Sequence, residues 1–549
     1  MQHKSAIERI LNARGISAAD EVAEFLSEKP QKTYNPFLLP NMEEGVDLIL
    51  SAIDDERKIC IYGDYDSDGV TSVALLRDVL KEIGADVTYY IPSRFDDGYG
   101  LNSAALDKIK AAGVSLVITV DCGCTSVNEV EHAKSIGLEI MVTDHHTPKE
   151  NLPDCIVIDP LLEGSEYPFK YLAGVGVAFK LAQALVESTG AAKEILTKNL
   201  DLLGIGTIVD IVPLVDENRT FAKYGLRALN VTERAGIKAL IDKLGIKQGE
   251  ITSRTISYII GPHINAAGRV DNATLAARLL QTDDYERALE LTDELINCNM
   301  ERKKFQDELQ KVCYENIDDE SISRDRFILL SPKEAHEGII GIVAGKLKEE
   351  KNVPVLITTP IGEGMHKGTG RSPSGINLFQ LLHSHAELFT RLGGHSAACG
   401  FSIAEENLPL LREALRRDME GMLKENPNLL DSSPEAEIIM YPEEITKDFI
   451  AQQKLLEPFG KDNEEPVVGV ELVPFDVARM GEGKFLRFSG KLGNGNLIRC
   501  VDFRKADEHE GKLSMAQEAS VRVTAVGNLD LQSWNDKEYI QLNLKALKL

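Results

Sequence analysis

The sequence predicts an α/β protein of several domains, with a small C-terminal β-barrel. Three observations predict this. From about 45 to 215, short apolar runs alternate with helical stripes, the pattern of a parallel sheet with right-handed crossovers. The alternation resumes from about 325 to 430, after a stretch from 216 to 320 that reads as helical. From 433 onward, about five short strand-like runs are separated by Gly and Asn turns, the spacing of an OB-type barrel. A chain of 549 residues is longer than one hydrophobic core organises, so several domains are expected.

Composition narrows the class. Lys plus Arg is 61 and Asp plus Glu is 87, a net charge of −26. That charge argues against binding nucleic acid over the whole surface, because phosphate contacts need local Lys and Arg. It leaves room for a basic groove between acidic outer faces. The start, Met1 to Glu8, lacks an apolar signal core, and no run approaches the roughly 18 apolar residues of a membrane span. No membrane association is expected. The eight Cys are too scattered for a disulfide framework, so a reducing cytoplasm is expected.

Taken in order, residues 1–44 read as a helical lead-in. Ile7, Ile10 and Leu11 form one stripe, Val22, Phe25 and Leu26 another, and Pro30, Pro36 and Pro40 then break the pattern. Packing against the next domain is the expected role. Lys58-Ile59-Cys60-Ile61-Tyr62 is a buried strand bounded by Gly63. Val70 to Ile83 carries a helical stripe that Gly84 ends. Asp86–Ile91, Val114–Val120, Leu138–Val142 and Cys155–Ile158 are the further strands. Asn102–Ala112 is a helix, Thr125 is placed to cap the next one, and Leu172–Ser188 and Ala192–Leu203 follow.

The loop between the first strand and its helix is Gly63-Asp64-Tyr65-Asp66-Ser67-Asp68-Gly69. Three carboxylates at alternate positions repel one another unless solvent or a cation separates them. Asp121 ends the strand 114–120, and Asp144-His145-His146 follows the strand 138–142. Each feature alone has an ordinary explanation, such as a solvated turn or a helix cap. Parallel strands put their carboxyl ends on one side of the sheet, so these groups converge. Carboxylate oxygens with one or two imidazoles suit Mg2+ or Mn2+. Cys122 and Cys124 beside Asp121 do not have zinc spacing and read as packing residues.

These motifs, with Asp210 in Thr207-Ile208-Val209-Asp210, resemble the four signatures of the DHH phosphoesterase superfamily. The resemblance extends through Asp97-Gly98-Tyr99-Gly100-Leu101, Leu172 to Ala178, Gly261 to Arg269, His336 to Ala344, Gly370-Arg371-Ser372 and Gly393-Gly394-His395. It covers nearly the whole chain and points to the branch of single-strand-specific 5′→3′ DNA exonucleases acting in repair and recombination. One departure is Ala335, where an aromatic residue is expected before His336.

The resemblance implies a fold and a site. The fold is α/β: a parallel-sheet DHH domain and a second α/β DHH-associated domain joined by a long helix, then an OB-type barrel. The expected division is a lead-in at 1–44, the DHH domain at 45–215, a helical connector at 216–320, the DHH-associated substrate-binding domain at 321–432 and the barrel at 433–549. Over about 284–317, Leu291, Leu295, Cys298, Phe305, Leu309 and Val312 recur at mostly three- and four-residue spacing. Such a stripe suits a coiled-coil dimer seam or a helix packed along its own chain; Arg302 interrupts it, which favours the second, and the resemblance implies a long helix joining two lobes. Met365 to Ser372 reads as a polar, Gly-rich, basic loop in which glycines admit a phosphate and Lys367, Arg371 and Ser372 donate to it.

Phosphodiester hydrolysis needs charge neutralised on the phosphoryl oxygens and a nucleophile generated at neutral pH, which two divalent ions about 3.5–4 Å apart supply. The implied metal ligands are Asp64, Asp66, Asp68, Asp121, His145 and Asp210, with Asp121 bridging. Asp66, Asp121, His145 and His146 are the implied catalytic set, His146 contacting the scissile phosphate or supporting a ligand. Arg94, Tyr99, Arg269, Arg371, Ser372 and His395 are implied to bind substrate, the guanidinium forks matching a 5′ phosphate and Tyr99 stacking on a base. In the barrel, Lys484, Arg487, Lys491, Arg499, Arg504 and Lys505 form a basic surface. Phe485, Phe488, Phe503, Trp534 and Tyr539 divide between stacking platforms and core. Single-stranded DNA with a 5′ phosphate, a single-stranded-DNA-binding protein and a repair helicase are the expected partners of a monomer. The competing readings are a nano-RNA or cyclic-dinucleotide phosphodiesterase, which is shorter and lacks a barrel, and a non-enzymatic helicase scaffold, which loses metal ligands.

Overall fold

The computed structural model describes residues 4–93, 100–270, 274–431, 433–503, 505–534 and 537–548. They fall into two compact units. One holds the residues up to Pro92, those from Tyr99 to Gly261, and those from Ser433 on; the other is mainly Pro262–Ser432.

The first unit contains a five-stranded parallel sheet. Its strands are β1 (Ile59–Gly63), β2 (Val87–Tyr90), β3 (Leu116–Val120), β4 (Glu139–Thr143) and β5 (Ile156–Ile158), in the order β2-β1-β3-β4-β5. β1 and β3 are buried throughout, as strands covered on both faces must be. Cys60, Tyr62, Val117 and Val142 pack on the helices Ser103–Ala111 and Val127–Ser135 through Leu106, Ile109, Val130 and Ala133. On the opposite face, the helix Met42–Asp54 approaches so closely that a Cβ on Gly45 would lie 2.9 Å from Ile158 and Met141.

Two expectations about helices are corrected. The helix Val127–Ser135 has Ser126 at its N-cap, so Thr125 does not cap it. The stretch 192–203 is two helices, Glu194–Lys198 and Leu200–Val209, with Asn199 between them. The second helix carries the chain to Asp210, its C-cap. It packs tightly on its neighbours because it is glycine-faced. A Cβ on Gly204 would lie 2.6 Å from Gly225 Cα, and one on Gly206 would lie 2.4 Å from Thr71 Oγ1.

The second unit is built on a mixed sheet. Its strands are β6 (Ile328–Leu330), β7 (Val355–Gly362), β8 (Met365–Arg371), β9 (Phe389–Gly394) and β10 (Ala398–Ala404), in the order β6-β7-β8-β10-β9. Only β6 and β7 run parallel. The helix Tyr285–Glu315 reaches this sheet with Leu309 and Cys313, which join Ile339, Ile340 and Val343 of the helix Glu337–Lys351 in one core layer. Residues 365–371 are not a loop: they form β8, paired on both sides. Glycine hid the alternation. Gly368 and Gly370 are inward positions where a Cβ would meet Phe401 at 2.3 Å and Leu378 at 2.7 Å. Two large side chains fill the space that these glycines leave.

The C-terminal strands return to the first unit: β11 (Ile438–Met440), β12 (Val468–Met480), β13 (Phe485–Leu492), β14 (Leu497–Asp502), β15 (Val523–Trp534) and β16 (Lys537–Lys548). The order β12-β13-β14-β16-β15, with β15 pairing back to β12, closes a five-stranded OB-type barrel. The N-terminal helix Ala6–Ala13 does not serve the neighbouring sheet. Ile7, Ile10 and Leu11 lie in the barrel core with Leu472, Leu486 and Leu542. Phe488 is core as well, at 3% exposure, and so belongs to the core share of the barrel aromatics. Arg504 and the Trp534 side chain lie outside the described residues. Among the described residues, no helix is long and apolar enough to cross a membrane.

Candidate metal centre and substrate-binding residues

Each acidic or imidazole side chain is placed by a separate local device. Gly69 lets the loop after β1 fold across the first turn of the helix Ser67–Glu82, since a Cβ there would lie 2.4 Å from the Asp64 carbonyl oxygen. Asp66 caps that helix, accepting from Asp68 N at 2.9 Å and Gly69 N at 3.2 Å. Asp68 instead crosses to the next helix, Gly174–Thr189, whose first two N–H groups donate to it: Gly174 N at 2.6 Å and Val175 N at 2.8 Å. A carboxylate at a helix N-terminus is held in place and favoured as an anion.

Asp121 ends β3 with φ 60, a left-handed conformation that Asp tolerates better than most residues. Gly174 makes room for it: a Cβ there would stand 2.6 Å from Asp121 Cβ and 2.7 Å from Oδ1. After β4, Asp144 turns away from the cluster and organises the loop. It accepts from Cys124 N at 3.0 Å, from His145 N at 2.8 Å and from His146 N at 3.2 Å, and lies 2.8 Å from His146 Nδ1.

The outcome is a buried cluster. His145 Nε2 lies 3.1 Å from Asp121 Oδ1, 3.7 Å from Asp210 Oδ2 and 3.8 Å from Asp68 Oδ2. Donor atoms of Asp68, His145 and Asp210 fall within 4.8 Å of one another, as do those of Asp64, Asp66 and Asp121 and those of Asp121, His145 and His146. Asp121 is shared between two of these groups. All six ligand candidates named from the sequence are therefore brought together, and His146 borders them.

Asp121 Oδ1, His145 Nε2 and Asp210 Oδ2 are buried and make no hydrogen bond among the described residues. Unsatisfied buried donors and acceptors are costly, and the imidazole nitrogen stands close to both carboxylate oxygens. The set fits divalent cations of the Mg2+ or Mn2+ type. The electrostatics agree. Burial, with the Asp68 charge beside it, pushes the Asp210 carboxyl up to about 8. Burial pushes Asp68 up to about 6, with Asp66 adding to the rise and His145 opposing it. Burial and then the neighbouring carboxylates hold Asp121 well above its usual range. Crowded like charges take up protons, and a bound cation relieves the same repulsion. At His146 burial favours the neutral ring, but the hydrogen bond and charge of Asp144 outweigh it and raise the imidazolium to about 9.

Four of the substrate-binding candidates, Arg269, Arg371, Ser372 and His395, fall in the second unit. Arg269 Nη1 donates to Gly338 O at 3.1 Å, at the start of the helix Glu337–Lys351. Arg371, at the end of β8, donates from Nη1 to Thr369 Oγ1 at 2.9 Å and Gly370 O at 2.8 Å. Its Nη2 stands 3.0 Å from where a Cβ on Gly341 would be, so glycine lets the guanidinium lie against that helix. Ser372 is buried, and its Oγ makes no hydrogen bond among the described residues. Ser372 N donates to Ala397 O at 3.0 Å, which brings the hairpin carrying His395 alongside. The glycines of 393–394 serve that hairpin: Gly394 has φ 145, and a Cβ would lie 2.4 Å from Ala398 O. Arg94 and Tyr99 lie outside the described residues.

The DHH family N-terminal domain matches residues 58–207, the DHHA1 domain 312–421 and the RecJ OB domain 436–546. A single-stranded-DNA-specific exonuclease RecJ of Bacillus subtilis is 37% identical over 541 residues, covering 98% of this chain and 67% of the relative. The Escherichia coli RecJ is 31% identical, covering 90% of this chain and 88% of the relative. The chain belongs to the RecJ family. The structure of RecJ from Thermus thermophilus in complex with Mn2+ superposes with a TM-score of 0.81 at 27% identity, covering 98% of this chain and 75% of that one. A second structure of that RecJ, in complex with Mg2+, superposes with a TM-score of 0.75 at 26% identity, covering 98% of this chain and 74% of that one.

In this RecJ-family chain, two further features shape the site without being evident from the sequence. Asp144 and the N–H groups of Gly174 and Val175 position the cluster without joining it. Both were visible as motif residues, but nothing in their spacing showed that Asp144 faces its own loop or that Gly174 leaves space for Asp121.

Proposed function

We propose that this chain is a metal-dependent exonuclease that hydrolyses single-stranded DNA from its 5′ end to mononucleotides, in repair and recombination. The observation that carries the reading is the convergence of Asp121 Oδ1, His145 Nε2 and Asp210 Oδ2, buried and unsatisfied, in a RecJ-family chain. Asp64, Asp66 and Asp121 would hold one cation and Asp68, His145 and Asp210 the other, and Asp121, 3.1 Å from His145 Nε2, would be common to both. Two Mn2+ or Mg2+ ions bound there supply charge neutralisation and an activated water.

The remaining work falls to the chain itself. Asp66 and Asp68 keep fixed positions because backbone N–H groups hold them. Asp144 keeps His146 protonated and oriented, so the imidazolium stabilises charge on the scissile phosphate as it develops. Arg269, Arg371 and Ser372 bind the terminal 5′ phosphate, joined by Arg94, Tyr99 and His395. The division at 44, 215, 320 and 432 assigns these roles to the DHH and DHH-associated domains and places single-strand binding in the barrel. The protein works in the cytoplasm as a monomer and takes its substrate from a helicase and a single-stranded-DNA-binding protein.

Digestion of 5′-labelled single strand, duplex and dinucleotide with Mn2+ or Mg2+ tests this. Release of mononucleotides from the single strand alone is expected, and preference for the dinucleotide would overturn it. Arg371→Ala is expected to lower the preference for a 5′-phosphorylated over a dephosphorylated strand by about tenfold or more; an unchanged preference removes Arg371 from the end-binding pocket.

A further inference from the structure

The carboxylate cluster and the barrel are in one unit. A strand held by both must cross the surface between them. Two unusual features mark that surface.

The first is Ile211, the residue after Asp210. It has φ 61 and is 68% exposed. A β-branched residue rarely adopts the left-handed region, and such conformations concentrate where function maintains them. The second is the π-helical turn Ile256–Ile260. Such turns recur at functional sites. This one lifts Tyr258 to 75% exposure, with the Arg254 guanidinium 5.8 Å from its ring centre.

Both features are tied to the site. The turn ends at Gly261, where a Cβ would lie 2.6 Å from Val209, two residues before Ile211. Ser67 Oγ, beside Asp68, donates to Gly261 O at 3.4 Å. On the other side, Leu214 N donates to Lys461 O at 2.8 Å, in the segment leading into the barrel.

We propose that Tyr258, with Ile211 as an apolar wall and Arg254 beside it, is a base-stacking platform. It receives a nucleobase of the single strand on the path from the metal cluster to the barrel. The inference rests on the exonuclease reading and adds a subsite to it. A tyrosine face accepts any base, and the adjacent guanidinium reinforces the stack and faces the phosphate backbone. An apolar rim of this kind binds an unpaired base, whereas a paired base presents no open face.

The test is an abasic scan. A 5′-phosphorylated strand of about 12 nucleotides, within the span of an OB-fold site, carries one abasic unit at successive positions. Its affinity is read by fluorescence anisotropy in EDTA, where hydrolysis does not compete. For the wild type, one interior abasic position weakens binding by about tenfold. Tyr258→Ala is expected to weaken the intact strand by a similar factor and to abolish the penalty at that position, while Tyr258→Trp preserves both. An abasic profile in Tyr258→Ala identical to that of the wild type overturns the platform. Ile211→Gly is expected to raise the thermal midpoint, because glycine accepts the left-handed backbone, and to weaken binding. Wild-type affinity in that variant removes Ile211 from the platform. Hydrolysis with Mn2+ is assayed separately: its absence in the wild type refutes the exonuclease reading, while the abasic profile still decides the platform.

Discussion

At the residue scale, the cluster depends on side chains that are absent as much as on those present. Asp121 can sit between two groups of donors because Gly174 has no Cβ. Gly174→Ala is therefore expected to shift Asp121, weaken Mn2+ binding by titration calorimetry and slow hydrolysis by about a hundredfold, the effect of a displacement near 1 Å at a reacting centre. Wild-type metal affinity and rate in that variant would show that the close approach is incidental. Asp121→Ala is expected to abolish hydrolysis with either metal while leaving the fold intact, because it removes the carboxylate that stands with Asp64 and Asp66 on one side and with His145 and His146 on the other; near-normal turnover with Mn2+ would sink the proposal that Asp121 is a shared ligand. The identities of Asp64, Asp66, Asp68, Asp121, His145 and Asp210 were legible in the sequence, because strand ends and motif spacing announce them. Their inequality was not. Asp68 faces two N–H groups of a helix more than a hundred residues later, and only folding reveals such a partner.

At the element scale, the same glycines that resemble a phosphate loop in sequence are packing positions in a strand. Gly368 and Gly370 give way to Phe401 and Leu378, so β8 looked polar and irregular although it lies inside a sheet. The alternation that identifies a strand is carried by side chains, and glycine has none to show. The helix Asp319–Asp325 offers a pH-dependent test in the same unit. Asp325 is paired with Arg324, Arg416 and Arg412. Hydrogen bonding from Arg324, with help from Arg416 and against the opposing effect of burial, lowers its carboxyl from 3.8 to about 2. A depressed carboxyl stabilises the fold above its unfolded value and loses that contribution as pH falls. Stability in urea should therefore decline between pH 3.8 and about 2. Asp325→Asn should lower stability at neutral pH and flatten that decline; an unchanged acid slope would assign it to other carboxylates.

At the scale of the whole molecule, the two ends of the chain share a core. Ile10 and Leu11 are fully buried with barrel residues more than four hundred positions away. Farther along, Arg219 ties the lead-in to the barrel's approach. It donates to Phe25 O at 3.0 Å and Leu456 O at 3.0 Å, and its guanidinium lies 3.7 Å from the Phe25 ring centre. Leu11→Ala is expected to cost about 2–5 kcal/mol, measured by urea unfolding and followed by barrel tryptophan fluorescence. A loss below about 0.5 kcal/mol, the range of ordinary surface substitutions, would show that the helix is dispensable to the barrel. The sequence by itself determined the fold class, the barrel and the ligand types, because apolar periodicity, turn residues and long motifs are local properties of the chain. Tertiary structure alone decided that the first helix completes the last domain, that a glycine-rich segment is a central strand, and that a buried imidazole nitrogen gathers two carboxylate oxygens, all three unsatisfied among the described residues. Those outcomes depend on close approach between segments distant in sequence, where the controlling quantity is the space between backbones.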